Sequence, residues 1–285
     1  MKRTVFSLLV CCLFLACLVG CGSSAAPQAS GAKDASVQGP TAQDDAVQKA
    51  QASADQDLPA QKQAEAPTPT APAVSRTVVI DPGHQARANT DQEPIGPGSA
   101  ETKMKVTGGT AGVATGIPEY ELTLTVSQLL RDELTARGYQ VVMVRESHDV
   151  NLSNRERADI ANRSGDIFLR IHANGSEDAS ATGAMTLSPT AQNPYPIGGL
   201  YAQCRLLSDL VLDGLVRAAG AKALPVWETD TMSGINWCQI PVTIVEMGFL
   251  STPQEDVLLN SPDYQAKLVA GIANGVDAYF AQTAS

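Results

Sequence analysis

Thr77-Val78-Val79-Ile80-Asp81-Pro82-Gly83-His84 sets the architecture of this chain. Thr77 to Ile80 form a β-branched run suited to a buried strand, and Asp81-Pro82-Gly83 stops it abruptly. His84 is thereby presented just past the carboxyl end of a strand, the rim at which ligands bind in open α/β sheets. A lone histidine in such a place is more often one satisfied within a turn. His84 has company.

A second strand-like run, Asp166-Ile167-Phe168-Leu169-Arg170-Ile171, ends in His172 followed by Ala173-Asn174-Gly175. Two of the three histidines in the chain therefore stand at the ends of expected strands. That is the arrangement a metal site requires. A third apolar run, Ile240-Pro241-Val242-Thr243-Ile244-Val245, ends in Glu246, where an ionisable group is costly unless it has a partner or a task. A salt bridge to a buried arginine is the alternative reading of Glu246.

Pro118-Glu119-Tyr120-Glu121 opens a helix with apolar residues at Leu122, Val126, Leu129, Leu130 and Leu134, the stripe of an amphipathic helix facing a core. At about 100° per residue Glu119 shares that face, whereas Glu121 points with Thr125, Gln128 and Asp132 toward water. A first-turn carboxylate also suits the positive end of the helix macrodipole. The competing reading is a Glu119 exposed at a frayed helix start.

Tyr139 to Val144 reads as a strand ending in Arg145, a residue suited equally to a structural ion pair or to an anionic substrate group. Ser153 caps a following helix, with Glu156 completing a capping box. His148, in a charged loop, reads as a surface residue. Gly183 to Leu187 is a further strand candidate, and Gly199 to Ala218 is a helix with Leu200, Leu206, Leu207, Leu210 and Leu215 toward the core. Ser261 to Phe280 is a closing amphipathic helix. Strand-like and helix-like segments alternate without an internal repeat, which argues for one α/β domain over residues 77–285. The polar segment Gln85 to Ile117 is long for a structureless connection, and the sequence leaves it open between a substrate-facing loop and a lid.

Before this domain, Lys2 and Arg3 precede an apolar stretch, Val5 to Val19, too short for a confident membrane span, and residues 1–20 read as an export signal. From Gly22 to Arg76 the composition shifts to Ala, Gln, Ser, Pro, Asp and Lys, which cannot bury enough apolar surface to offset its ordering entropy. We expect a disordered tether there, with a coil dimension on the order of 40 Å. The formal charge of −10 becomes −12 once Lys2 and Arg3 leave with the leader. So acidic a chain is a poor candidate for nucleic acid, or for electrostatic docking on anionic envelope polymers.

Two family resemblances follow from these motifs. Leu18-Val19-Gly20-Cys21 resembles the lipobox of bacterial lipoproteins, which implies cleavage before Cys21, lipidation of that cysteine, and anchoring at the extracytoplasmic face of the cell membrane. On that reading residues 21–76 are the lipidated tether. IDPGH, EYELTL, NLSNRERADIANRSGDIFLRIHANGS and IPVTIVEMGFLS, in that order, resemble zinc-dependent N-acetylmuramoyl-L-alanine amidases of type 3. That resemblance implies a mixed, mostly parallel sheet flanked by helices, with peptidoglycan as the substrate. It also implies that His84, Glu119 and His172 are ligands of Zn2+ and that Glu246 is the catalytic carboxylate. Two departures stand out: the long segment 85–117, and LRIHAN where SIHAN is commoner. A lipoprotein that binds peptidoglycan without cutting it, and a zinc peptidase acting within the stem peptide, are the competing readings. Restraint by reach, by the long segment or by a regulatory protein partner is left open, as is a bridge between Cys204 and Cys238.

Overall fold

The computed structural model describes residues 76–284. The expected leader, Cys21 and the tether up to residue 75 lie outside the described residues. β1 (Thr77–Pro82) is followed by β2 (Asn89–Pro94), β3 (Thr102–Val106), α1 (Glu119–Ala136), β4 (Gln140–Met143), α2 (Asn154–Ser164) and β5 (Ile167–Asn174). The second half adds β6 (Met185–Ser188), α3 (Tyr201–Ala219), β7 (Trp227–Glu228), α4 (Ser233–Asn236), β8 (Val242–Phe249), α5 (Pro253–Leu259) and α6 (Pro262–Thr283). One sheet runs in the order β4-β1-β5-β8-β6-β7, and β2 pairs with β3 separately. Every neighbouring pair in the large sheet is parallel except β6 with β8, giving the mixed, mostly parallel sheet expected.

Strand alternation sorts the side chains onto two faces. Val78 and Ile80, Leu169 and Ile171, and Val245 and Met247 pack with α1, α3 and α6. Val79, Phe168, Val242 and Ile244 face the other way, toward Ala158 and Ala161 of α2 and Ile235 of α4. On this second face β5 continues past Phe168 with Arg170 and His172, and β8 continues past Ile244 with Glu246. The face changes from apolar to ionisable at the strands' carboxyl ends.

Leu122, Val126, Leu130 and Leu134 of α1 are fully buried, each contributing about 1.5–3 kcal/mol by leaving water. Leu129 departs from the expected stripe and is 41% exposed. It falls at the edge of a face centred on Glu119, Val126 and Leu130. The capping box at α2 forms as expected: Glu156 N donates to Ser153 Oγ at 3.1 Å, and Ser153 N to Glu156 Oε2 at 2.8 Å.

The segment 85–117 contains the β2–β3 hairpin, seated by hydrogen bonds to main-chain carbonyls. Trp237 Nε1 donates to Pro94 O at 2.9 Å, Asn236 Nδ2 to Ile95 O at 3.0 Å, and Asn154 Nδ2 to Lys105 O at 2.9 Å. These bonds explain how so polar a segment is ordered. Downstream, the buried Asp256 accepts from Ala114 N, Thr115 N and Thr115 Oγ1, at 2.7–2.8 Å. Cys204 and Cys238 are both buried and free, so no bridge joins them. Among the described residues no helix is long and apolar enough to cross a membrane.

Candidate metal centre

Three elements converge at the carboxyl ends of β1 and β5. His84 follows β1 with φ of 60°, a left-handed conformation unusual for a residue with a side chain, at a cost on the order of 1 kcal/mol. Hydrogen bonds around it hold the turn: Gly83 N donates to Ile171 O at 2.8 Å, and Arg157 Nη2 donates to the His84 carbonyl at 3.0 Å. Gly83 must be glycine, because a Cβ there would overlap the His172 ring.

Glu119 enters from the first turn of α1 and is 3% exposed, so the inward orientation expected from the helix projection holds. Its Oε2 accepts from Thr110 N at 3.0 Å and its Oε1 from Ala173 N at 3.1 Å. The same Oε1 lies 3.2 Å from His84 Nε2 and 3.1 Å from His172 Nδ1. The two rings meet edge to face, with centroids 4.8 Å apart. One ligand atom from each of His84, Glu119 and His172 lies within 4.8 Å of the other two.

The hydrogen-bond chemistry of this cluster fits a cation. His84 Nδ1 lies 3.0 Å from Thr107 O, which can only accept, so a neutral ring carries its proton on Nδ1. The Nε2 lone pair then faces a carboxylate oxygen at 3.2 Å. Two lone pairs at that distance repel unless a positive charge joins them. Fixing a ring through Nδ1–H to a main-chain carbonyl is also how metal-ligating histidines are oriented. His172 Nε2, meanwhile, is buried and has no partner among the described residues.

Electrostatics set the charge states. Burial dominates His172 and depresses its pKa to about 4, so the ring is neutral at pH 7. Burial opposes ionisation of Glu119, yet the adjoining His172 and then His84 outweigh it and hold the carboxyl well below its usual range. Two imidazoles and a carboxylate are a donor set known from catalytic zinc sites.

Glu246 pairs in register with His172 across β5 and β8 and shares its face. Its Oε2 is buried without a partner among the described residues. Burial, and then the charge of Glu119, raise its pKa to about 8. Among the described residues no arginine forms the salt bridge that the sequence left open for Glu246. All four expected site residues are thus brought together, and His84, His172 and Glu246 line a cavity of about 540 Å³ with Arg170, Lys103 and Trp227.

Beneath the site lies an ionic layer that sequence reading did not find. Asp81, fully buried, accepts from Arg157 Nη1 at 2.6 Å and from Arg170 Nε at 2.9 Å. Arg157 stands among charged neighbours in NRERAD, yet it is 0% exposed. Arg145 takes neither of its expected roles. Its guanidinium donates to the carbonyls of Pro82, Gly83 and Tyr120 at 2.7–3.0 Å, stitching the β1 turn to the start of α1. His148 is exposed and stacks edge-on against Tyr120, as a surface histidine would. Glu228 is held away from the four by Arg205, at 2.6 Å, and by the Tyr201 hydroxyl, at 2.8 Å.

This geometry has relatives. A Bacillus subtilis protein, YqiI, is 30% identical over 212 residues, covering 74% of this chain and 88% of that one. The germination-specific N-acetylmuramoyl-L-alanine amidase of the same organism is 26% identical over 231 residues, covering 74% of this chain and 82% of its own length. The crystal structure of the N-acetylmuramyl-L-alanine amidase Ami1 from Mycobacterium smegmatis superposes with a TM-score of 0.64 at 26% identity, covering 73% of this chain and 97% of that one. Residues 78–278 match the family described as N-acetylmuramoyl-L-alanine amidase, and a match over so much of the chain means that the protein belongs to that family.

Proposed function

We propose that this domain is a zinc-dependent peptidoglycan hydrolase that cleaves the amide between the lactyl group of N-acetylmuramic acid and the L-alanine of the stem peptide. The reading is carried by one observation: His84, Glu119 and His172 converge on a single point, with the unpartnered carboxylate of Glu246 beside them. His84, Glu119 and His172 would hold the metal. When bound, zinc supplies positive charge that polarises a carbonyl and acidifies a water, lowering its pKa toward about 7.

The chain's own residues supply the rest. Glu246 takes a proton from the attacking water as the oxygen bonds to the amide carbon, then delivers it to the departing nitrogen as the C–N bond breaks. Thr107 fixes the His84 tautomer, and Thr110 N and Ala173 N hold Glu119. No serine or cysteine nucleophile is required.

The test is mass spectrometry of purified peptidoglycan after digestion. Stem peptides with a free N-terminal L-alanine and intact glycan strands are expected; cuts within the stem peptide would make the enzyme a peptidase, and no products would leave a binding protein. The isolated domain should carry about one zinc. His84→Ala and His172→Ala should each lose most of it, and full metal content in both variants would overturn the ligand assignment.

The proposed site of action is the extracytoplasmic face of the membrane, supported by Leu18-Val19-Gly20-Cys21. A lipidated Cys21 would hold the enzyme there, with the tether setting its reach into the wall. Cys21→Ala should shift the protein from the membrane fraction to the soluble fraction. Unchanged fractionation would remove the anchor.

A further inference from the structure

We infer that Arg170 is a substrate-binding residue that receives a free carboxylate on the peptide side of the scissile amide. This rests on the amidase reading and adds a preference among its substrates. Arg170 is 4% exposed and lies on the cavity face of β5, two residues before His172. Its Nε is spent on Asp81 at 2.9 Å and its Nη2 on Asn154 Oδ1 at 2.7 Å. Nη1, with its two N–H groups, has no partner among the described residues. Gly234, which also lines the cavity, sits against that nitrogen, and a Cβ there would overlap it. The absence of a side chain at Gly234 is what gives the guanidinium its room.

The local charge balance favours an anion. Asp81 faces both Arg157 and Arg170, while the buried Arg145 is bonded only to carbonyls and the Thr123 hydroxyl. Two buried guanidiniums, Arg157 and Arg170, thus share the one carboxylate of Asp81, with the buried Arg145 bonded to no carboxylate among the described residues. A buried cation with spare donors is costly unless something pairs with it. Planar, forked recognition of a carboxylate is what arginine does best.

Which carboxylate follows from position. Arg170 and Glu246 lie on adjacent strands and the same face, with Arg170 opposite Ile244, two residues from Glu246. Glu246 serves the departing amine, so the group beyond it belongs to the released peptide. The nearest candidate there is the residue after L-alanine, when its α-carboxyl is free rather than amidated.

Two synthetic probes test this: muramyl-L-alanyl-γ-D-glutamyl-L-lysine and muramyl-L-alanyl-D-isoglutaminyl-L-lysine, which differ by one carboxylate-to-amide change at the residue after L-alanine. The zinc-loaded enzyme should favour the carboxylate form by on the order of tenfold in kcat/KM, mainly through KM. In Arg170→Gln the ratio should fall to near one, and Arg170→Lys should restore part of it. Asp81 keeps Arg157 in Arg170→Gln, which favours folding. Should that variant not fold, Gly234→Ala displaces Nη1 without removing the charge and should also erase the preference. Equal kcat/KM for the two probes in the wild type, or a preference that survives in a folded variant, overturns the inference. Failure of the wild type to cleave either probe overturns the amidase reading itself.

Discussion

Glu246→Gln is expected to lower amide cleavage by on the order of a hundredfold or more while leaving fold and zinc content intact. The substitution keeps the size of the side chain and removes only its capacity to accept and return a proton. His84, Glu119 and His172 do not depend on it, since Glu119 is held by Thr110 N, Ala173 N and His172 Nδ1. The variant should therefore still bind peptidoglycan fragments, separating catalysis from binding. Near-normal turnover in the zinc-loaded variant would remove Glu246 from the mechanism. Glu228 is tied to Arg205 and Tyr201 and is poorly placed to replace it. Loss of zinc together with activity would assign Glu246 to the metal shell and reopen the role of Glu119.

A second readout of the same variant does not depend on turnover. In the metal-free protein the Glu246 pKa is raised to about 8 by burial and by Glu119. A raised carboxyl pKa means that the folded state binds the extra proton, so the stability it gives is complete below the unfolded value and is lost as pH rises through about 8. His172 titrates lower, near 4 in the folded state, and the buried Cys204 and Cys238 are common to both proteins, so over pH 7 to pH 9 the difference from Glu246→Gln reports Glu246. Across it the metal-free wild type should lose on the order of 1 kcal/mol relative to Glu246→Gln. Parallel pH profiles for the two proteins would show that Glu246 is not the group titrating there.

The site was legible in the sequence because each of its residues breaks a local rule. His84 and His172 end β-rich runs, Glu246 interrupts an apolar strand, and Glu119 falls on the buried face of an otherwise amphipathic helix. The sheet was legible for the same reason, through its strand-like runs and the helices between them. The β2–β3 hairpin was not, because it is held by side-chain donors to main-chain carbonyls and carries little periodicity. Arg157 and Arg170 were missed as members of a buried layer since nothing in a charged helix start or a strand end announces that a guanidinium will have a carboxylate waiting. That pairing joins residues 76 and 89 positions apart and exists only once β1, α2 and β5 are assembled.

The layer carries the largest stability effect expected from one substitution. Asp81 is 0% exposed and sits between Arg157 Nη1 and Arg170 Nε, whose charges outweigh the cost of burial and hold its pKa at about 2. Asp81→Ala leaves both guanidiniums buried without their counter-charge, which costs about 3–5 kcal/mol. Against a total of roughly 5–15 kcal/mol, that is a large fraction of the domain's stability. For a domain of this size the melting temperature should fall by on the order of 10 °C. Acid should mimic the mutation: a depressed carboxyl pKa gives stability that is complete above the unfolded value of 3.8 and lost as pH falls through about 2. The consequence also reaches the metal centre, because Arg157 Nη2 holds the His84 carbonyl and Arg157 Nη1 contacts the Pro82 carbonyl as well as Asp81. Releasing Arg157 frees the left-handed turn that points His84 at Glu119, so zinc should bind more weakly in whatever fraction of Asp81→Ala remains folded. A melting temperature within about 2 °C of wild type, a shift worth no more than roughly 1 kcal/mol, would mean that the two arginines find other partners and that the turn is held without them.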